Sequence, residues 1–215
     1  MKILSINVGR PRQLQWRGKT VTTSILKEPV SGQVRVERLN LAGDEQSDLS
    51  VHGGPDKAVY VYPHEHYEYW REQLPRLDFP WGAFGENITS VGLDENVIQI
   101  GDRLSAGSAE FVVTQPRLPC YKLGVRFDRV DMVKRFQQSG RPGIYLAVLR
   151  PGTIATGDAI EVQPEDRYHV SVMDVVRLYT EDHVDPELLI RAIEVPSLPD
   201  HWRAYFRERL QGAAT

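Results

Sequence analysis

A single cysteine stands in this chain of 215 residues, so no internal disulfide can form and the fold must be held by its apolar core. No apolar run approaches the roughly 20 residues of a membrane-crossing helix. The opening Met1-Lys2-Ile3-Leu4-Ser5-Ile6 is too short an apolar stretch for a secretory signal. Positive charge is not in excess either. The 26 Lys and Arg face 29 Asp and Glu for a net charge of −3, which excludes a general field drawing the chain to a nucleic-acid polymer or an anionic membrane. Low-complexity segments and long internal repeats are also lacking. These absences lead us to expect a cytoplasmic protein with neither nucleic acid nor membrane among its partners, in which any anion is held by a local cluster of cations.

The dominant pattern is short alternating or β-branched runs broken by glycine and proline, the signature of strands. Lys2–Val8 alternates and stops at Gly9-Arg10-Pro11; residues 19–26 and 32–41 read as two strands paired with each other across turns. Further strands are expected at 58–62, 96–100, 103–106, 110–114, 143–149 and 159–162. Helical spacing is sparser in this region. Tyr67, Trp70 and Leu74 share a face after Pro63, and a short helix near 130–138 ends at Ser139-Gly140.

Beyond Pro164 the texture becomes helical. Ser171 with an acid three residues on marks an N-cap, Asp185-Pro186 opens a second helix, and a third begins near Pro199 with Trp202, Phe206 and Leu210 on one face. We therefore expect a mainly β domain over residues 1–165 and a small three-helix appendage over 166–215. About 45 residues are too few to fold alone, and their apolar faces, including Met173, Val176, Leu189 and Ile193, must pack on the β domain or on another chain.

Chemistry concentrates in three places. Cys120 follows a β-branched run ending at Thr114 and is bracketed by Pro116 and Pro119, which stiffen the turn. Arg117 and Lys122, within three residues of it, would favour the thiolate, the form that attacks electrophiles and binds soft metals. A lone cysteine also reads as a small buried apolar residue without chemistry. The loop from Gly43 to Lys57 carries Asp44, Asp48, His52, Gly53, Gly54, Asp56 and Lys57 into a strand. Two glycines permit close backbone approach to a ligand, yet glycine, proline and aspartate serve any tight connection. The third place is Phe84-Gly85-Glu86-Asn87-Ile88, a tight bend entering a strand.

Taken in order, Asn7-Val8-Gly9, the block from Gly43-Asp44-Glu45 to His52-Gly53-Gly54-Pro55-Asp56-Lys57-Ala58-Val59-Tyr60, Phe84-Gly85-Glu86-Asn87-Ile88, Ile100-Gly101-Asp102, and Gln115-Pro116-Arg117 to Pro119-Cys120 resemble the MOSC domain family. That domain closes the molybdenum cofactor sulfurases, and the resemblance is greatest to its YiiM-like branch, whose short helical tail extends the match over nearly the whole chain. The resemblance implies a β-barrel with peripheral helices and a molybdenum–molybdopterin cofactor (Moco) whose metal is coordinated by Cys120. It also implies reduction of N-hydroxylated compounds, such as hydroxylaminopurines, to amines. On this basis Lys57, Arg117 and Arg10 would neutralise the pterin phosphate, with the Gly53 and Gly54 amides close to it. Asn87 would meet a pterin edge or the substrate N–OH, and Asp44, Asp48 and His52 are candidates for proton delivery. Electrons would come from a redox partner protein, for which the helical tail offers a docking face, since the chain has no flavin fingerprint or iron–sulfur cysteine set. Three other readings stay open: a sulfur carrier bearing a persulfide on Cys120, a hydrolase pairing Cys120 with His52 and an aspartate, and a non-catalytic cofactor-binding domain.

Overall fold

The computed structural model describes residues 1–47, 53–164 and 167–213. Its strands are β1 (Lys2–Val8), β2 (Arg12–Trp16), β3 (Lys19–Thr23), β4 (Glu28–Val30), β5 (Gln33–Val36), β6 (Val59–Pro63), β7 (Ile88–Val91), β8 (Arg103–Ala106), β9 (Ala109–Pro116), β10 (Ile144–Arg150), β11 (Gly152–Ala155) and β12 (Ile160–Gln163). Eight of them form one sheet in the order β12-β8-β9-β10-β6-β7-β1-β4. All pairs in it are antiparallel except β6 with β7.

The sheet curls as the expected barrel requires, but it is not closed. β1 spends one edge on β7, and Ile6 to Val8 on its other edge pair with β4. Only the first residues of that second edge remain, and they reach the far end of the sheet. Ile3 N donates to Asp158 O at 2.9 Å, Gly157 N to Ile3 O at 2.9 Å and Ile160 N to Met1 O at 3.0 Å. These bonds join the turn before β12 to β1 without a full ladder.

Sequence alternation explains the layering. All of β6 is buried, with Val59 and Val61 in an aliphatic core on one face and Tyr60 and Tyr62 in an aromatic core on the other. β10 repeats this, sending Ile144, Leu146 and Val148 to the aliphatic side and Tyr145 against the aromatic side. Three helices serve the aromatic core: α1 (Glu65–Gln73), α2 (Tyr121–Phe127) and α3 (Met132–Gln138) contribute Tyr67, Trp70, Leu123, Phe127, Met132 and Phe136.

The remaining helices, α4 (Val172–Thr180), α5 (Pro186–Glu194) and α6 (Asp200–Ala213), belong to the aliphatic core through Val175, Leu178, Leu189, Ala192, Trp202 and Phe206. The Ser171 hydroxyl accepts from Asp174 N while the Asp174 side chain accepts from Ser171 N, and Asp185 caps α5 ahead of Pro186. Trp202 Nε1 also donates to Gln115 Oε1 of β9 at 2.9 Å in a buried bond. The tail thus shares the core of the sheet, and the expected boundary at residues 165 and 166 lies outside the described residues.

Several local expectations are corrected. β3 pairs with β2, not with β5, through a two-residue turn in which Arg17 and Gly18 have φ of 52° and 74°. β5 pairs instead with β11. Residues 96–100 are not a strand but a turn, in which Val97 and Ile98 N–H groups donate to Asp94 O and only Gln99 bridges to Ser171.

Candidate functional site

Past the end of β9, residues 117–119 turn the chain into α2, and Cys120 is the N-cap of that helix with extended backbone (φ −124°, ψ 170°). Its side chain makes no capping hydrogen bond. The thiol is free and half-buried, and it lines a cavity of about 100 Å³ on the aromatic side of the sheet. Tyr60 of β6 and Tyr145 of β10, the inward members of the alternation, supply the floor. The walls come mostly from loops: Ser24, Ile25 and Lys27 after β3, residues 44–47, Lys57, Gly85, Asn87 and the turn from Arg117 into α2.

Arg117 is 7% exposed, donates from Nη1 to Phe84 O at 2.7 Å, and lies over the rings of Tyr60 and Phe136 at 4.9 and 5.3 Å. Burial opposes its charge, but the surroundings of Tyr60, Tyr145 and Cys120 outweigh that and hold its pKa above the ordinary arginine value. Lys122, equally buried, donates from Nζ to Ser47 Oγ at 3.2 Å. Lys57 sits half-buried at the end of a 3-10 turn (Pro55–Lys57); burial lowers its pKa against the attraction of Asp56.

Lys27 is a cavity residue that sequence reasoning missed. Its side chain is 8% exposed and paired with Asp44; burial lowers its pKa, and Asp44 opposes the shift. A lysine in a strand connection reads as a solvated charge, and no local signal marks it otherwise. What buries it is distant in sequence. A Cβ on Gly9 would stand 2.6 Å from Leu26 O, one on Gly82 (φ +83°) 2.7 Å from Lys27 O, and one on Gly85 (φ +78°) 2.8 Å from Ile25 Cγ1. Only glycine at these three places lets residues 25–27 lie this deep.

Asp44 and Asn87, expected as a proton carrier and a ligand contact, meet in the cavity wall with their hydrogen-bonding capacity largely taken by the protein. Asp44 accepts from Gly9 N at 2.8 Å, from Asn87 Nδ2 at 2.9 Å and from Lys27. Asn87 Oδ1 accepts from Tyr60 N at 3.1 Å. Beside them the fully buried Glu86 accepts from Gly82 N, Phe84 N and Thr89 Oγ1 at 2.9, 3.1 and 2.9 Å and from Tyr67 OH, which fixes the loop presenting Phe84 O to Arg117. Burial raises the pKa of Glu86 against these donors.

Other expected residues fall elsewhere. Gly53 and Gly54 precede the 3-10 turn but do not line the cavity, and a Cβ on Gly54 would meet nothing within 4 Å. Arg10 is also outside the lining; it is an exposed partner of Glu45 at 3.6 Å, so it does not face a ligand in this cavity. Asp48 and His52 lie outside the described residues. Among the described residues no three His, Cys, Asp or Glu side chains gather to hold a metal, and no helix is long and apolar enough to cross a membrane.

Among the described residues the cavity therefore joins one thiol to four cations, Lys27, Lys57, Arg117 and Lys122, against two carboxylates, Asp44 and Glu45. In a net-acidic chain this local positive excess suits an anionic ligand, and the thiol suits a soft electrophile or metal.

Comparison with known proteins places this geometry. The MOSC domain model matches residues 48–161, and the model described as YiiM-like, 3-alpha helix domain matches residues 170–213. The chain is similar to protein YflK of Bacillus subtilis (strain 168), 40% identical over 207 residues that cover 96% of this chain and 93% of that one. It is similar to the crystal structure of YiiM from Geobacillus stearothermophilus, with a TM-score of 0.80, 34% identity and coverage of 97% and 98% of the two chains. A protein of Gibberella moniliformis (strain M3125 / FGSC 7600) named reductase is 32% identical over 98% of this chain, which spans 38% of that longer protein.

Proposed function

The chain belongs to the MOSC domain family in its YiiM-like branch, and on that premise we propose that it is a molybdenum cofactor-dependent reductase that converts N-hydroxylated compounds to amines. The observation that carries the reading is the free Cys120 thiol at the edge of a cation-lined cavity. A single protein ligand is what a metal delivered by its own organic chelate requires, and a soft thiolate matches a polarizable metal.

The residues present fit such a group. Cys120 would bind the metal, since its side chain is not used in capping and lines the cavity. Lys57 and Arg117 would balance the negative charge of the pterin phosphate, with Lys122 adding a third cation. Tyr60 and Tyr145 form a stiff aromatic floor 5.1 Å apart, centroid to centroid, and exclude water from it. When bound, the cofactor supplies the two-electron chemistry; conversion of N–OH to N–H also takes up two protons and releases water. Asp44, occupied by three donors, serves to anchor Lys27 and Asn87. Proton delivery is accordingly assigned to Asp48 or His52, on their place in the sequence just after the cavity-lining residues 44–47. Electrons come from a separate redox protein.

The test is molybdenum and pterin content, with reductase activity on a hydroxylaminopurine, for protein made in a cofactor-competent host. Wild type should carry both and be active; Cys120→Ser should fold normally and lose activity with its molybdenum. Full activity and full metal content in the serine variant would end the ligand assignment. Lys57→Met and Arg117→Met should each lower pterin retention.

A further inference from the structure

The Pro55–Lys57 turn delivers Lys57 to the cavity, yet little in the turn itself fixes its place. It is a single 3-10 turn, none of its three residues is buried, and so short a piece of 3-10 helix has poor hydrogen-bond geometry of its own. Its neighbours hold it instead. Gln46 Nε2 reaches Lys57 O at 3.3 Å, and the carbonyl of Asp56 is held from β9, where Thr114 Oγ1 donates to it at 2.7 Å and Gln115 Nε2 at 3.4 Å.

Neighbouring residues of a strand send their side chains to opposite faces, so Thr114 and Gln115 would not ordinarily reach one acceptor. A bulge in β9 explains it. Tyr145 of β10 stands opposite Gln115 and Leu146 opposite Val113, which leaves Thr114 as the extra residue that re-aims the strand. The Thr114 hydroxyl has one proton for two acceptors, Asp56 O and Tyr145 O, the second at 3.0 Å. Gln115 therefore carries part of the hold on Asp56. The direction of its amide is set from the other end: Trp202 Nε1, in the first turn of α6, donates to Gln115 Oε1 at 2.9 Å, which leaves Nε2 facing Asp56. Thr114, Gln115 and Trp202 are all buried.

We infer that Gln115, oriented by Trp202, is a positioning residue that sets Lys57 at the cavity, which makes the helical tail a working part of the site as well as a cover for the aliphatic core. The contacts run from α6 through Gln115 to the Asp56 carbonyl, and the peptide bond that carries this carbonyl is the one that begins Lys57. That role rests on the function proposed above only for what Lys57 holds.

The experiment measures backbone NMR order parameters in the cofactor-free full-length protein. In wild type the Lys57 N–H, which donates to Gly54 O at 3.1 Å inside the turn, should show the value of a rigid backbone, about 0.85. Gln115→Met keeps the length of the side chain and removes both of its hydrogen bonds, and should bring the Lys57 value to about 0.6. Trp202→Phe should lower it by a smaller step, since Gln115 keeps its donor but loses the bond that aims it. The His64 N–H, bonded to Ser90 O at 2.7 Å at the other end of β6, should stay rigid in both variants. A loss of overall stability leaves order parameters of the folded state untouched, so this readout separates positioning from packing. Retention of pterin by loaded protein supplies a second one: Gln115→Met should lower it severalfold on its own and add nothing to Lys57→Met, because it acts through Lys57. An unchanged Lys57 order parameter in either variant, an equal fall at His64, or additive losses of pterin overturns the inference. If wild type itself holds no pterin, the cofactor reading fails while the order parameters still decide the role of Gln115.

Discussion

Replacing Asp44 by asparagine leaves Lys27 in the cavity wall without its counter-charge, and the consequence can be worked through. The lysine side chain is 8% exposed and the carboxylate 2%, so this is a buried pair. Removing one partner of such a pair costs about 3–5 kcal/mol. Lysine has one escape, which is to give up its proton. From its ordinary value of 10.5, deprotonation at pH 7 costs about 5 kcal/mol, and at pH 9 only about 2 kcal/mol, at about 1.36 kcal/mol per pH unit. The damage from the orphaned charge is therefore capped near 5 kcal/mol at neutrality and near 2 kcal/mol at pH 9. Weaker bonds from Gly9 N and Asn87 to a neutral amide add roughly 1 kcal/mol at either pH. The sign follows from proton counting. Burial already lowers the folded pKa of Lys27, and loss of Asp44 lowers it further, so between that value and 10.5 the unfolded chain binds more protons. Stability relative to wild type must then rise with pH. Urea unfolding of Asp44→Asn and wild type, followed by tryptophan fluorescence at pH 7 and pH 9, measures this. A deficit below about 1 kcal/mol at pH 7, or one equal at both pH values, would refute the reasoning.

Three further outcomes are expected. Trp202→Phe keeps the buried ring but orphans Gln115 Oε1, and should lower urea-derived stability by about 1–3 kcal/mol; a change under about 0.5 kcal/mol would deny the bond its role. Gly82→Ala places a Cβ 2.7 Å from Lys27 O at a φ of +83°, so a loss of about 2 kcal/mol or more is expected in the same assay, and a neutral result would contradict the close approach. Removing residues 167–215 uncovers the aliphatic core shared by Leu178, Trp202 and Phe206 with the sheet; the truncated chain should aggregate on expression, and a soluble, cooperatively folding product would show that the tail is dispensable.

Strands with one buried face were readable because burial imposes alternation, as in β5 and β8. β2 escaped notice because none of its five residues is fully buried and it therefore carries no apolar rhythm. Its turn, Arg17-Gly18, also lacks the Asn-Gly or Asp-Gly signal of a tight hairpin. Residues 96–100 misled for the opposite reason: Ile98 and Ile100 are buried and Val97 is exposed, so a turn under α4 reproduces strand alternation over a few residues. At the site, Cys120, Arg117 and Lys57 were legible as chemistry clustered at strand ends. Lys27 and Ser24 were not, because what makes them cavity residues is contact with Gly9, Gly82 and Gly85, far along the chain. Asn87 and Asp44 were legible as site candidates but not as partners of each other, since a sequence does not say which polar groups satisfy each other.

The divided edge of β1 has a bearing on the order in which the molecule can form. Residues 1–3 complete one edge only with residues 157–160, and Lys2 to Ile6 complete the other only with residues 88–91. On a ribosome the first strand would therefore find only β4, against Ile6 to Val8, soon after it emerges, and the rest of both edges would wait through most of synthesis. Such sequence-distant pairing makes folding slow for a chain of this size, and it ties completion of the sheet to the stretch translated just before the three helices. Those helices then arrive to cover the aliphatic face soon after the last strand has given it its final shape. A chaperone that shields β edges would have its greatest effect on yield here during that interval, before residue 160 has left the exit tunnel.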